Sequence, residues 1–209
     1  MTILTSLLWG SEGSFQILGG HIAFNNEPQK FATDVNLDGA GLISRLAITC
    51  LKREPLRLLT FGYVHVFVHE MSHSIAHKLL KKGSFDAVVD TRNCMGYTRL
   101  YSSGLANSTW KNTVISAAGP MGDIAFSTIL LVAATALKSY ISWPIALALG
   151  GGAVVWIAGE LLYAYVSASK GDGGDFGQIR KQGNWHLALT STAIVAQTAL
   201  GIFAAIYFL

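Results

Sequence analysis

A mainly α, polytopic membrane helical bundle of about four spans, with short β-hairpin segments, is the fold class that this sequence predicts. Three observations predict it. Of 209 residues, 51% are hydrophobic and only 13% are charged, against about 25% charged in ordinary soluble domains. Four apolar stretches are each long enough to cross a hydrocarbon core of about 30 Å as a helix. The segments between them are short and polar, with strand-like alternation in places. The net charge of +3 is small, and basic residues cluster beside the apolar runs, as at Lys78, Lys81 and Lys82. That placement suits membrane flanks and argues against a nucleic-acid partner. Two cysteines, Cys50 and Cys94, do not make a disulfide framework.

The elements follow in chain order. The first residues lack a basic region and a long apolar run, so no cleaved signal peptide is expected. Residues 14–24 alternate around Gly19-Gly20, which predicts a short hairpin with a Gly-Gly turn. Residues 41–53 fit an amphipathic helix that lies at the interface or leads into the first span. Residues 1–57 thus form a lead-in region, and 58–209 the membrane-embedded core. The first span is expected from about Leu58 to Leu80. In the polar loop after it, FDAVVDTRNCMGYTRLY predicts two strands joined by a turn near Asn93–Gly96. The second span covers about Thr113–Leu137, and the third about Trp143–Ser167, where GGGAVVWIAG permits close helix packing. A glycine-rich polar loop, 168–183, precedes a fourth span beginning near Asn184. The 81–112 and 168–183 loops then share a side. They carry eight Lys and Arg, against five near the span ends opposite. The positive-inside rule places these loops in the cytoplasm and both termini outside.

The chemistry concentrates in the first span. His65, His69, His73 and His77 stand four residues apart in YVHVFVHEMSHSIAHKLL. A helix rises about 1.5 Å and turns about 100° per residue, so neighbours in this ladder lie ~6 Å apart on one face, and its ends ~18 Å apart. One metal ion can therefore join a neighbouring pair and cannot join the ends. Only the interval His69-Glu70-Met71-Ser72-His73 has a carboxylate directly after its first histidine; Val66 and Ser74 occupy that place in the other two. H-E-x-x-H on a helix is the arrangement in which two histidines hold zinc and the glutamate acts as general base. His69 and His73 are thus candidate Zn2+ ligands and Glu70 the candidate catalytic base. His65 and His77 are expected to be hydrogen-bonded polar neighbours.

A catalytic zinc usually takes a third protein ligand and leaves a position for water. Of twelve acidic residues, three fall within spans: Glu70, Asp123 and Glu160. Asp172 and Asp175 sit in the loop GDGGDFG, whose glycines would let it turn back to the metal. Composition alone leaves both open.

HEMSH in an apolar span, SAAGPMGD at 116–123 and DGG at 172–174 occur in the order found in site-2 proteases. Over about residues 58–180 the chain resembles that family of intramembrane zinc metalloproteases. The resemblance implies zinc held by His69, His73 and Asp172, with Glu70 as base. The chain departs from the family's pattern at SASKGDGG, which has neither the asparagine nor the proline that commonly precede the aspartate, so Asp175 stays a rival to Asp172. It departs again at Asp123, where the family often has asparagine. Binding substrate backbone, orienting a ligand and pairing with a bundle histidine are the roles open to Asp123. Asn36-Leu37-Asp38-Gly39 matches the family's D-G motif in letters, but it precedes the histidines and is read as a turn. No PDZ-like module fits in the residues outside the core.

The function implied is hydrolysis of peptide bonds in transmembrane protein substrates, in or near the bilayer and towards its cytoplasmic side. The strand-like segment 85–101 would either pair with an unwound substrate or form a self-contained cap. A membrane metal-binding or zinc-transport protein, and a non-catalytic scaffold with a degenerate site, are the competing classes.

Overall fold

The computed structural model describes residues 13–24, 62–81, 83–90, 95–101, 108–170 and 174–207. The expected interfacial helix at 41–53, both cysteines, the NLDG turn and Asp172 lie outside them. Strands β1 (Gly13–Ile17) and β2 (Gly20–Phe24) form a hairpin. Helix α1 (Gly62–Lys81) is followed by β3 (Ser84–Asp90) and β4 (Met95–Tyr101). Then come α2 (Thr109–Ala136), α3 (Trp143–Lys170), the short α4 (Asp175–Gln182) and α5 (Asn184–Tyr207).

Both expected hairpins form, and they join into one four-stranded sheet in the order β1-β2-β3-β4. The β2–β3 contact is parallel, pairing His21 with Asp86 and Phe24 with Val89, while β3 and β4 are antiparallel, pairing Ala87 with Thr98. The first turn falls one residue earlier than the Gly-Gly reading. Leu18 and Gly19 both take positive φ, 53° and 74°, the two-residue geometry that matches strand twist. Gly20 instead begins β2 and lies under the Phe85 ring, which a Cβ there would approach to 2.5 Å. Ile22, Phe24, Phe85, Ala87 and Val89 are buried with Val66 of α1. The sheet is therefore fixed on α1 by one apolar face, with period-2 alternation along β3.

Three helices are long and apolar enough to cross a membrane: Thr109–Ala136, Trp143–Ser169 and Asn184–Tyr207. They correspond to the expected second, third and fourth spans, and they are compatible with an integral membrane protein. Large apolar side chains on their outer surfaces are exposed, including Ile129, Leu147, Val154, Leu189, Val195 and Phe203. The interior holds His65, Glu70, Ser127 and Asp123, all buried. Apolar outside and polar inside is the distribution a lipid solvent favours. α1 is 20 residues long and less apolar than these three, since four histidines, Glu70, two serines and two lysines occupy its turns. α1 packs on α2, which also contacts α3, α4 and α5.

Candidate metal centre

α1 places its polar ladder against α2, and each rung meets a different partner. His69 directs Nδ1 to Asp123 Oδ2 at 2.8 Å and Nε2 to Asp175 Oδ2 at 3.1 Å. His73 directs Nδ1 to the Ile115 carbonyl at 2.6 Å and Nε2 to Asp175 Oδ1 at 3.2 Å. In both rings Nδ1 faces an acceptor on α2. That bond fixes the ring plane and the tautomer, and leaves Nε2, on the Asp175 side, as the atom that could donate to a metal. His77, at the far end, donates from Nε2 to the Tyr101 carbonyl at 3.1 Å, fastening the end of α1 to β4. It is a structural neighbour, as expected. His65 stacks on Trp156 with ring centroids 4.3 Å apart.

Asp175 is delivered by α4. Phe176 and Ile179 are buried among Ala117, Ile124 and Ile194, which docks this short helix on α2 and α5. The Gly177 amide donates to Ser167 Oγ at 3.1 Å, and Arg180 reaches the Ala168 and Ser169 carbonyls at 2.7 and 2.9 Å. These bonds hold α4 to the end of α3. Arg180 and Lys181 in the last turn and Asp175 in the first suit the helix dipole. Gly183 ends the helix at φ 139°, a conformation open mainly to glycine. The Tyr163 hydroxyl accepts from the Asp175 amide at 3.1 Å and donates to its Oδ2 at 3.3 Å. Burial opposes ionisation of Asp175, but the His73 and His69 imidazoles outweigh it and hold the carboxyl well below the usual carboxylate range.

His69, His73 and Asp175 each offer a ligand atom within 4.8 Å of the other two. Two ligand atoms 2.0–2.1 Å from a tetrahedral zinc stand about 3.3 Å apart, close to the 3.1 and 3.2 Å between Asp175 and the two Nε2 atoms. The donor set, two imidazoles and a carboxylate, also suits zinc. Gly119, in the AGP sequence of α2, leaves the room. A Cβ there would lie 2.6 Å from His69 Nε2 and closer still to His73 Nε2. Gly119→Ala is therefore expected to push both rings aside, lower metal content and cut any cleavage rate by about 100-fold, the scale on which 1 Å misplacements slow reactions. Elemental analysis of the purified variant measures the first. Unchanged metal content would show that the rings do not bind there.

Glu70 lies beside this trio on a cavity of about 430 Å³, lined also by Gly96, Thr98, Tyr163 and Gln178. Thr98 of β4 donates to Glu70 Oε2 at 2.6 Å. Gly96 packs against the same side chain, with a built Cβ only 2.6 Å from Glu70 Cγ. The second hairpin therefore forms one wall of the site and orients Glu70.

Of the sequence-derived candidates, His69, Glu70, His73, Asp123 and Asp175 converge, and Asp172 lies outside the described residues. Thr98, Gly96 and Tyr163 belong to the site without any sequence signal, because their roles come from strand register and helix docking. Gly119 had a signal in the AGP motif. No family model, curated protein or solved structure matches the chain.

Proposed function

We propose that this chain is an intramembrane zinc metalloprotease of the site-2 protease type, cleaving peptide bonds of membrane-spanning protein substrates. The observation that carries it is the convergence of His69, His73 and Asp175 from two separate elements, with Glu70 on the same cavity. α1 acts as a fourth span, sheltered by its neighbours, with the open cavity towards the cytoplasm.

His69 and His73 Nε2 and the Asp175 carboxylate would hold Zn2+. When bound, the zinc supplies Lewis acidity that acidifies water and polarises a carbonyl. Glu70 takes the water proton and returns it to the leaving amide nitrogen. Thr98 holds the Glu70 carboxylate while it does so, leaving its other oxygen for the proton. Asp123 orients His69 through Nδ1, and such outer partners are worth about 10–100-fold in metal affinity. Tyr163 fixes Asp175 from backbone and side chain at once. Among the described residues, β4 pairs with no strand but β3. An unwound substrate strand would add to its other edge by β-augmentation, beside Glu70.

Removal of metal tests this function directly. Cleavage of single-span membrane substrates by the purified chain should stop with a zinc chelator and return on adding Zn2+. Cleavage that persists after metal depletion overturns the proposal. A membrane zinc transporter would instead move Zn2+ into liposomes and cleave no substrate.

A further inference from the structure

Tyr163 binds Asp175 through two bonds of unequal quality. Its hydroxyl oxygen accepts from the Asp175 amide at 3.1 Å, an ordinary N–H···O length. Its donor contact to Asp175 Oδ2 spans 3.3 Å, beyond the roughly 2.5–3.0 Å of a good O–H···O bond. The amide therefore fixes where the hydroxyl oxygen sits, while the proton is held loosely. The ring is fixed as well. It meets Phe176 edge-on with centroids 6.2 Å apart, and Phe176 is buried in the core. The same tyrosine lines the cavity shared by His69, Glu70, His73 and Asp175.

Peptide hydrolysis in this cavity calls for a hydrogen-bond donor at the oxygen that gains charge. The water oxygen adds to the scissile carbonyl carbon, the water proton goes to Glu70, and the carbonyl π pair moves onto the carbonyl oxygen. That oxygen stays negative until its pair re-forms the C=O bond. The C–N pair then leaves with the nitrogen, which takes the proton from Glu70. A donor already aimed at the developing charge stabilises it without reorganisation. Thr98 is engaged elsewhere, through its 2.6 Å bond to Glu70 Oε2. Tyr163 enters from a different wall: α3 packs on α2 and α4, whereas β4 packs on α1. Asp175 Oδ2, which the Tyr163 hydroxyl faces, stands 3.1 Å from His69 Nε2. The hydroxyl therefore borders the seat formed by His69, His73 and Asp175.

We propose, on the protease reading of this site, that Tyr163 is a further catalytic residue whose hydroxyl donates to the oxyanion of the tetrahedral intermediate. Rotation about its C–O bond turns the proton from Asp175 Oδ2 to the substrate oxygen, while the hydroxyl oxygen stays pinned by the Asp175 amide. The proton remains on Tyr163 throughout. Tyr163 thus stabilises charge, and Glu70 alone carries a proton between water and nitrogen.

The test uses the full chain in lipid vesicles at saturating Zn2+, with synthetic single-span peptides as substrates and a phosphinate peptide as mimic of the tetrahedral intermediate. Tyr163→Phe removes the hydroxyl and keeps the ring against Phe176. It should lower kcat about 10²–10³-fold, the cost of one lost oxyanion donor, with KM and zinc content unchanged. Phosphinate binding should weaken by a comparable factor, because the mimic loses what the transition state loses. Unchanged cleavage and phosphinate affinity overturn the donor role and leave the protease reading standing. Slower cleavage with phosphinate affinity unchanged also overturns it, and leaves Tyr163 as a positioning residue for Asp175. If Tyr163→Phe does not fold, crystals of the wild type with the phosphinate decide. The donor role requires the Tyr163 oxygen within about 2.5–3.0 Å of a phosphinate oxygen, and a hydroxyl out of that reach overturns it. A wild type that cleaves no peptide and binds no phosphinate overturns the protease reading itself, and the role of Tyr163 with it.

Discussion

Glu70→Gln should reduce substrate cleavage by about 10²–10⁴-fold, the range supplied by a positioned general base, while zinc content stays at the wild-type level. The substitution conserves shape. The amide oxygen of glutamine still accepts from Thr98, now 2.6 Å from Glu70 Oε2, so the β4 wall remains in place. What disappears is the capacity to take a proton from water. Glu70 is not among the three side chains grouped as metal donors at the cavity, His69, His73 and Asp175, so occupancy does not depend on it. Parallel measurements of cleavage and bound zinc check this. Unchanged cleavage removes Glu70 as the base. Loss of zinc along with cleavage makes it a ligand instead.

The second large effect separates the two aspartates. Asp175→Asn should lower zinc affinity by at least the ~100-fold upper end known for outer-shell partners, and abolish cleavage at ordinary zinc concentrations. Asp172→Asn should retain both. The substitution at 175 leaves α4 docked, because Phe176 and Ile179 remain buried in the core and Arg180 still reaches the end of α3. Its direct cost to the helix is the loss of one first-turn charge, about 0.3–1 kcal/mol. Zinc titration of both variants gives the answer. Loss of affinity in Asp172→Asn, with Asp175→Asn unaffected, would return the third-ligand role to the aspartate that the D-G motif names.

The pair His69 and His73 with Glu70 was legible because helical spacing is a local property. Four residues return a side chain to the same face, whatever surrounds the helix. The three apolar helices were legible for a similar reason: length and composition suffice. Their boundaries were less so. α2 begins at Thr109 rather than about Thr113, because polar residues can extend a helix beyond the apolar run. The hairpins announced themselves by alternation and glycine, but their union into one sheet did not. The parallel β2–β3 pairing joins segments separated by α1, and nothing local specifies which strands will meet.

The third donor shows the same limit. GDGGDFG offers two aspartates three residues apart, equal in chemistry. Asp175 reaches the histidines because α4 starts at that residue and is anchored by Phe176, Ile179 and Arg180. Asp123 was open to three roles on sequence alone. Its position on α2 opposite His65 and His69 gives it contact with both rings, at 3.5 and 2.8 Å. The outer members of the histidine ladder diverge in the same way. His77 binds the Tyr101 carbonyl and His65 lies in the bundle beside Trp156.

By itself, then, the sequence determined what depends on spacing and composition: apolar helices, an H-E-x-x-H face, and two strand pairs. Tertiary structure alone decided that Asp175 meets the imidazoles, what holds Glu70, and that Glu160 and His65 lie near Asp123. The physical reason is reach. Helical periodicity constrains residues within a turn or two, whereas His69 and Asp175 are 106 positions apart and meet only because apolar packing of α1, α2 and α4 brings their backbones together.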